Sequence, residues 1–176
     1  TLAWDGNRFT NFTGGQVTGG EDVQLSGGQL ENDGNVEGRS ATIIAESLRN
    51  GGSVQALDSL NIKAGGRLDN QGSLRSLNLF ELAAAQLFND NTIAAKSLSI
   101  SAPELMNNGI VQGNSALQLT TRNLFNGQQG QLVSGAGLDL GPDTLENRGL
   151  LLANTDFTLR GSTLINAGDI QAGSLN

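Results

Sequence analysis

Nine times in 176 residues the chain returns to one phrase, Leu-x-Asn-x-Gly-x-Val-x-Ala, a turn, then Leu-x-Ile. Its Asn residues mark the beat at Asn11, Asn32, Asn50, Asn70, Asn89, Asn107, Asn126, Asn147 and Asn166, at intervals of 18 to 21 residues. A period near twenty, with alternation rather than helical spacing inside it, is the signature of stacked β-coils. That period excludes most compact folds before composition is considered.

One coil can be read from Leu48 to Ala64. Leu48 and Asn50 alternate, then Val54 and Ala56, then Leu60, Ile62 and Ala64. Each piece has the period of two that a short strand with one buried face requires. Asn50-Gly51-Gly52 and Leu57-Asp58-Ser59 separate the pieces with turn-forming residues, which predicts three strands and three bends per circuit. The same slots recur down the chain. The first strand supplies a column from Phe9 and Leu30 to Leu164, and the second opens with a column from Val17 to Ile170. Two residues further on only small residues occur, as at Gly19, Ala56, Ser76 and Ala172. The third strand closes with Leu25, Ile44, Ile62, Leu82, Ile100, Leu119, Leu140 and Leu159.

Columns of like residues are what vertical stacking demands, because each side chain packs on its copy one coil away. The predicted fold is therefore all-β: a parallel β-helix of about nine coils, right-handed by the crossover preference, roughly 43 Å long at ~4.8 Å per coil. The first and seventh repeats each insert two residues after the Asn, in Asn11–Gly15 and Asn126–Gly130, and so keep the insertions in bends. Only the fifth repeat is expected to be short between its second and third strands, where Ile93 to Leu98 spans five residues. Residues 1–176 read as a single solenoid segment. With no initiator Met at Thr1 and a repeat just begun at Asn176, they read as an excerpt of a much longer chain.

Composition narrows the partners. Hydrophobics make up 37% of the chain, too many for disorder, while aromatics fall to 4%, so the interior must be filled by Leu, Ile, Val and Ala. The net charge of −7 is scattered without a basic cluster, which gives nucleic-acid phosphates no footing. Zero Cys rules out disulfides and thiolate metal sites. No apolar run approaches the ~20 residues of a membrane helix, so insertion of this segment into a membrane is not expected.

Each repeated Asn lies two residues after an inward Leu, and alternation turns it inward as well. A buried amide needs partners, and its copy in the next coil can supply them. The Asn column is accordingly read as a structural ladder, not a ligand groove. On the outside, Phe88, Met106 and Phe125 share the slot between Leu and Asn and form a candidate partner strip.

Catalytic readings fare poorly. Asp69 and Asp90 are read as acids in the outward position between Leu and Asn on neighbouring coils, a candidate pair for glycoside chemistry. That slot also admits Thr10, Arg49, Phe125 and Ile165, as solvated surface does. Asn154-Thr155-Asp156 matches one short polygalacturonase motif without its companions, and the chain has no His. Gly135-Ala136-Gly137 precedes no helix, so it lacks the helix N-terminus a phosphate loop uses. Asn11-Phe12-Thr13 has the form of a glycan acceptor. No catalytic, cofactor or metal residue is assigned, and the segment is expected not to be an enzyme.

The phrases Leu68-Asp69-Asn70-Gln71-Gly72-Ser73-Leu74, Leu105-Met106-Asn107-Asn108-Gly109-Ile110-Val111 and Leu145-Glu146-Asn147-Arg148-Gly149-Leu150-Leu151 carry a resemblance. The chain is similar to the repeats of filamentous haemagglutinin and its relatives, the exoproteins of bacterial two-partner secretion. The second repeat, and the fifth with Asn91 in place of Gly, depart mildly from the pattern. The resemblance implies the shaft of a long fibre, exported unfolded through an outer-membrane transporter and displayed on, or released from, the Gram-negative surface. Members act as adhesins, haemolysins or contact-dependent growth inhibition effectors, meeting a host or target-cell receptor mainly through flanking domains. A carbohydrate-binding or carbohydrate-cleaving tail-spike, or a receptor-binding segment of the same fibre, is the alternative.

Overall fold

A computed structural model describes residues 1–173. Every regular element among them is a β-strand, and every strand pairing is parallel. The first four elements are long: β1 (Leu2–Asn11), β2 (Gln16–Asn32), β3 (Asn35–Asn50) and β4 (Ser53–Asn70). Later coils break into pieces such as Glu104–Asn107, Gln131–Ser134 and Leu138–Leu140. The chain is a β-solenoid of about nine turns, each coil hydrogen-bonded to the one before and the one after it.

Register follows the sequence columns. Phe9 pairs with Leu30, Leu30 with Leu48, and the series continues without a slip to Leu145 and Leu164. Val17, Val36, Val54, Leu74, Ile93, Val111, Leu132, Leu151 and Ile170 stand in register in the same way. These columns face one apolar core from Val23 to Ala153, in which Leu60, Ile62, Leu68, Leu74 and Phe80 are fully enclosed. Phe80 lies between Leu60 and Leu98, so the opening slot of the third strand tolerates a ring that the second-strand column never carries.

Two expectations are corrected. The first concerns the bends, of which three per circuit were expected to interrupt the strands. In the first coils only the bend after the Asn does so. The other corners are absorbed as register shifts, between Gly19 and Asp22, Gly38 and Ser40, and Ala64 and Arg67. Coils that turn together keep their ladder bonds around a corner, and the extra residue becomes a bulge.

The second correction concerns the third strand of the second repeat. Ile43, not Ile44, pairs with Leu25 and Ile62 and is buried to 1% exposure, whereas Ile44 pairs with Ser26 and Lys63 and is 49% exposed. One residue, Arg39, turns the corner where neighbouring coils use two, so Val36 to Ala41 spans five residues, like the fifth repeat. The phase that results turns Ala41, Ile43 and Ala45 inward and leaves Glu46 outside. The other phase would bury Glu46, and an unpaired buried carboxylate is far costlier than an exposed isoleucine. Arg39 spans the short corner, reaching Glu21 at 3.1 Å and Asp58 at 3.2 Å. The hydrogen bond to Asp58, and then the charge of Glu21, raise its pKa above the usual arginine value.

Candidate functional site: the amide column and the apolar strip

The nine Asn residues of the beat stack in register, and the amide of each bonds to the next. Nδ2 of Asn11 donates to Oδ1 of Asn32 at 2.8 Å. The same bond recurs from Asn32 through Asn50, Asn70, Asn89, Asn107, Asn126 and Asn147 to Asn166 at 2.7–2.8 Å. The side chains from Asn11 to Asn147 are buried, while Asn166 in the last coil is exposed.

Most of these Nδ2 atoms have two further acceptors. One is a carbonyl in its own bend, as from Asn107 to Gly109 at 3.0 Å; the other is a carbonyl just past the next bend, as from Asn107 to Gln131 at 3.2 Å. Among the described residues Asn70 has only the second kind, Thr92 O at 3.1 Å, and Asn166 only the first, Gly168 O at 3.0 Å. The two-residue insertions do not disturb this. They close as turns, with Gly15 N donating to Phe12 O and Gly130 N to Gly127 O, and the amides still reach the carbonyls of Gly15 and Gly130. Asn11 therefore spends its amide on Asn32 and the bends, which leaves the glycan-acceptor triplet without a free nitrogen in the folded chain.

The Gly two residues beyond most of these Asn has a steric reason. A Cβ on Gly52 would lie 2.1 Å from the carbonyl oxygen of Gly34, and one on Gly72 2.0 Å from that of Gly52. Among the coils without an insertion Asn91 is the exception, and it shows the consequence. Its neighbour Thr92 bonds Gly72 O at 3.2 Å, where the equivalent bonds from Ser53 and Ser73 are 2.9 and 2.8 Å.

Outside the column, Asp69, Phe88, Met106, Phe125 and Glu146 follow one another in register on five coils. Phe88, Met106 and Phe125 floor an open groove of about 330 Å³ that Glu104, Asn123 and Thr144 help to line. Met106 is 39% exposed, and the two Phe rings are half-buried. Arginines cover the rings at both ends. The Arg67 guanidinium lies 3.9 Å from the Phe88 centroid and bonds Asp69, and Arg148 lies 5.6 Å from that of Phe125 and bonds Glu146 at 2.7 Å. The hydrogen bond it donates to Asp69 raises the Arg67 pKa. Sequence reasoning passed over both arginines, although Arg67 lies two residues before Asp69 and so shares its face of the strand.

The acids weighed for catalysis do not converge. Asp69 shares the outward slot with Phe88, whereas Asp90 falls one step past Asn89 in the bend and accepts from Asn108 Nδ2 at 3.0 Å. Placing both acids in one slot was therefore an error of phase. Asp156 lies in the bend before Phe157, where its carbonyl accepts from Leu138 N at 2.9 Å.

Stacked coils, an internal amide column and an outer slot that accepts acid, base and apolar residues alike define a parallel β-solenoid whose regularity is internal. The chain belongs to the haemagglutinin repeat family, whose pattern matches residues 6–72, 45–102 and 89–176. It is similar to the deoxyribonuclease CdiA of Dickeya dadantii (strain 3937), 32% identical over 165 residues that make up 92% of this chain and 5% of that protein. The tRNA nuclease CdiA of Escherichia coli O6:K15:H31 (strain 536 / UPEC) is 31% identical over 190 residues, 97% of this chain and 5% of that protein. The toxin CdiA of Escherichia coli is 32% identical over 190 residues, covering 97% and 6%. The chain thus spans about a twentieth of the length of these relatives. No solved structure matches it.

Proposed function

We propose that this chain is a length of rigid shaft in a large secreted or surface-displayed bacterial exoprotein, which carries its binding or toxin domain elsewhere. The observation that supports this most directly is the amide column, unbroken from Asn11 to Asn166 through insertions and short corners alike. An array whose every coil repeats the contacts of its neighbours is suited to span distance, not to assemble a unique site. In this reading residues 1–176 form one segment of a longer chain, and the nine Asn residues serve as its structural ladder. Export passes through an outer-membrane transporter to the cell exterior, and any receptor is met mainly by flanking domains. The printed names of the relatives, deoxyribonuclease, tRNA nuclease and toxin, favour a contact-dependent growth inhibition effector over an adhesin.

The reading assigns no catalysis to the segment. Asp69 is engaged by Arg67 and Asp90 by Asn108, so neither is supported as half of an acid pair. The test is a deletion in register within the full exoprotein. Removing residues 51–147 joins Asn50 to Arg148 and takes out the five coils of Asn70, Asn89, Asn107, Asn126 and Asn147. The fibre should shorten by about 24 Å at ~4.8 Å per coil while the activity of the distal domain persists. Loss of that activity in a protein still displayed, with its distal domain folded, would refute the shaft reading.

A further inference from the structure

The strip of Phe88, Met106 and Phe125 offers chemistry that the shaft role does not use. We propose that it is a docking groove for an extended, cationic amphipathic peptide segment, held by apolar side chains on the strip and a basic group at Glu104. This goes beyond the shaft reading and does not depend on it.

Three observations select that occupant. The first is charge. Arg67 and Arg148, beyond the two ends of the groove, each bind their own carboxylate, Asp69 and Glu146, and are neutralised there. Glu104, on the wall beside Met106, is exposed and among the described residues has only the neutral amide of Gln86 as its side-chain partner, at 2.9 Å. The groove therefore presents one unmatched negative charge beside an apolar floor, and a cation is its complement.

The second is the state of the rings. A saccharide would stack on an open aromatic face, but the Arg67 guanidinium sits over Phe88 at 3.9 Å and Arg148 approaches Phe125. Ring edges and the flexible Met106 thioether remain, and these suit aliphatic side chains better than a sugar ring.

The third is dimension. Phe88 and Phe125 lie two coils apart, ~10 Å at ~4.8 Å per coil, and alternate side chains of an extended peptide recur every ~7 Å. Two apolar side chains on one face of such a segment fit between the rings; the intervening lysine or arginine leaves from the opposite face, and its long flexible stem carries the charge around the segment's edge to Glu104.

The test uses the chain itself with two labelled synthetic peptides, one alternating leucine and lysine, the other leucine and glutamate, read by fluorescence anisotropy. The lysine peptide should bind at least tenfold more tightly. Glu104→Gln should reduce that preference several-fold, and Met106→Ser should weaken the lysine peptide while leaving the melting temperature unchanged, since both side chains point outward. Equal binding of the two peptides, or no binding, would overturn the proposal. So would self-association that Met106→Ser abolishes and the lysine peptide does not compete, because the occupant would then be a second copy of the chain.

Discussion

Replacing Asn107 tests whether the amide column carries stability. Its side chain accepts from Asn89 at 2.7 Å and donates to Asn126 at 2.8 Å, with further bonds to the carbonyls of Gly109 and Gln131. Asn107→Leu keeps the branching and the number of side-chain heavy atoms and is the larger residue, so no cavity is opened. Two buried ladder bonds are lost at roughly 1 kcal/mol each, and Oδ1 of Asn126 is left without its donor at roughly 1–3 kcal/mol. Asn89 loses less, because its Nδ2 keeps the carbonyls of Asn91 and Ile110. After a gain of about 1 kcal/mol from added apolar burial, the net cost should be on the order of 2–4 kcal/mol.

At about 2–4 °C per kcal/mol for a chain of this size, the melt should fall by roughly 4–16 °C. Hydrogen exchange should accelerate first in the coils of Asn107 and Asn126, since solenoid coils couple to their nearest neighbours. Asn107→Asp adds a second, chemically distinct readout. The introduced carboxylate would be buried among acceptors, which raises its folded pKa above the ordinary value of about 3.9. Between the unfolded and folded pKa values the folded state then binds more protons, so stability falls as pH rises through that window. The stability deficit relative to the parent should therefore widen from acid toward neutral pH. An unchanged melt in Asn107→Leu, or a deficit in Asn107→Asp that ignores pH, would show that the column is not what holds the coils.

Three further outcomes follow. Ile43→Ala should cost about 2–4 kcal/mol while Ile44→Lys stays within about 0.5 kcal/mol in chemical denaturation, and the reverse order would reinstate the other phase of the third strand. Gly109→Ala should destabilise by roughly 1–3 kcal/mol or more, because its Cβ would lie 2.0 Å from the Asn91 carbonyl oxygen; a neutral melt would refute the steric reason for the glycine column. Asn11→Leu should cost more than Asn166→Leu by at least ~1 kcal/mol, since only the first deprives a buried Oδ1, that of Asn32, of its donor; equal melts would remove the significance of the column's direction.

The columns were legible because stacking in register repeats each environment, so a slot's preference is sampled nine times in one chain. Where two phases of a strand look alike, that advantage fails. Ala41-Thr42-Ile43-Ile44-Ala45 offers an isoleucine to either phase, and only the one-residue corner at Arg39 and the cost of burying Glu46 decide between them. The continuity of β2, β3 and β4 around their corners was also hidden, because turn-forming residues signal a bend whether or not the ladder survives it. The arginine covers over Phe88 and Phe125 depend on placement between adjacent columns, which a reading along single columns does not weigh.

On the ladder reading, the outside of this solenoid is free to vary. From Asn11 to Asn147 each Nδ2 points toward the next coil and secures two things there, the Oδ1 of the next Asn and the carbonyl past the next bend, as Asn107 does with Asn126 and Gln131. Each coil is thus tied to the next from within, at both the following Asn and the following bend, by one side chain. Outward ion pairs such as Arg8–Glu31 and Arg160–Asp139 lie in solvent and are worth little. An outer slot can then hold Thr10, Arg49, Asp69, Phe88 or Ile165 on the same backbone. Three apolar residues in succession at Phe88, Met106 and Phe125 gain nothing for a fold already determined by the interior. Exposed apolar surface carries a solubility cost, which is why that strip, and not the more regular amide column, is where a binding role has to be sought.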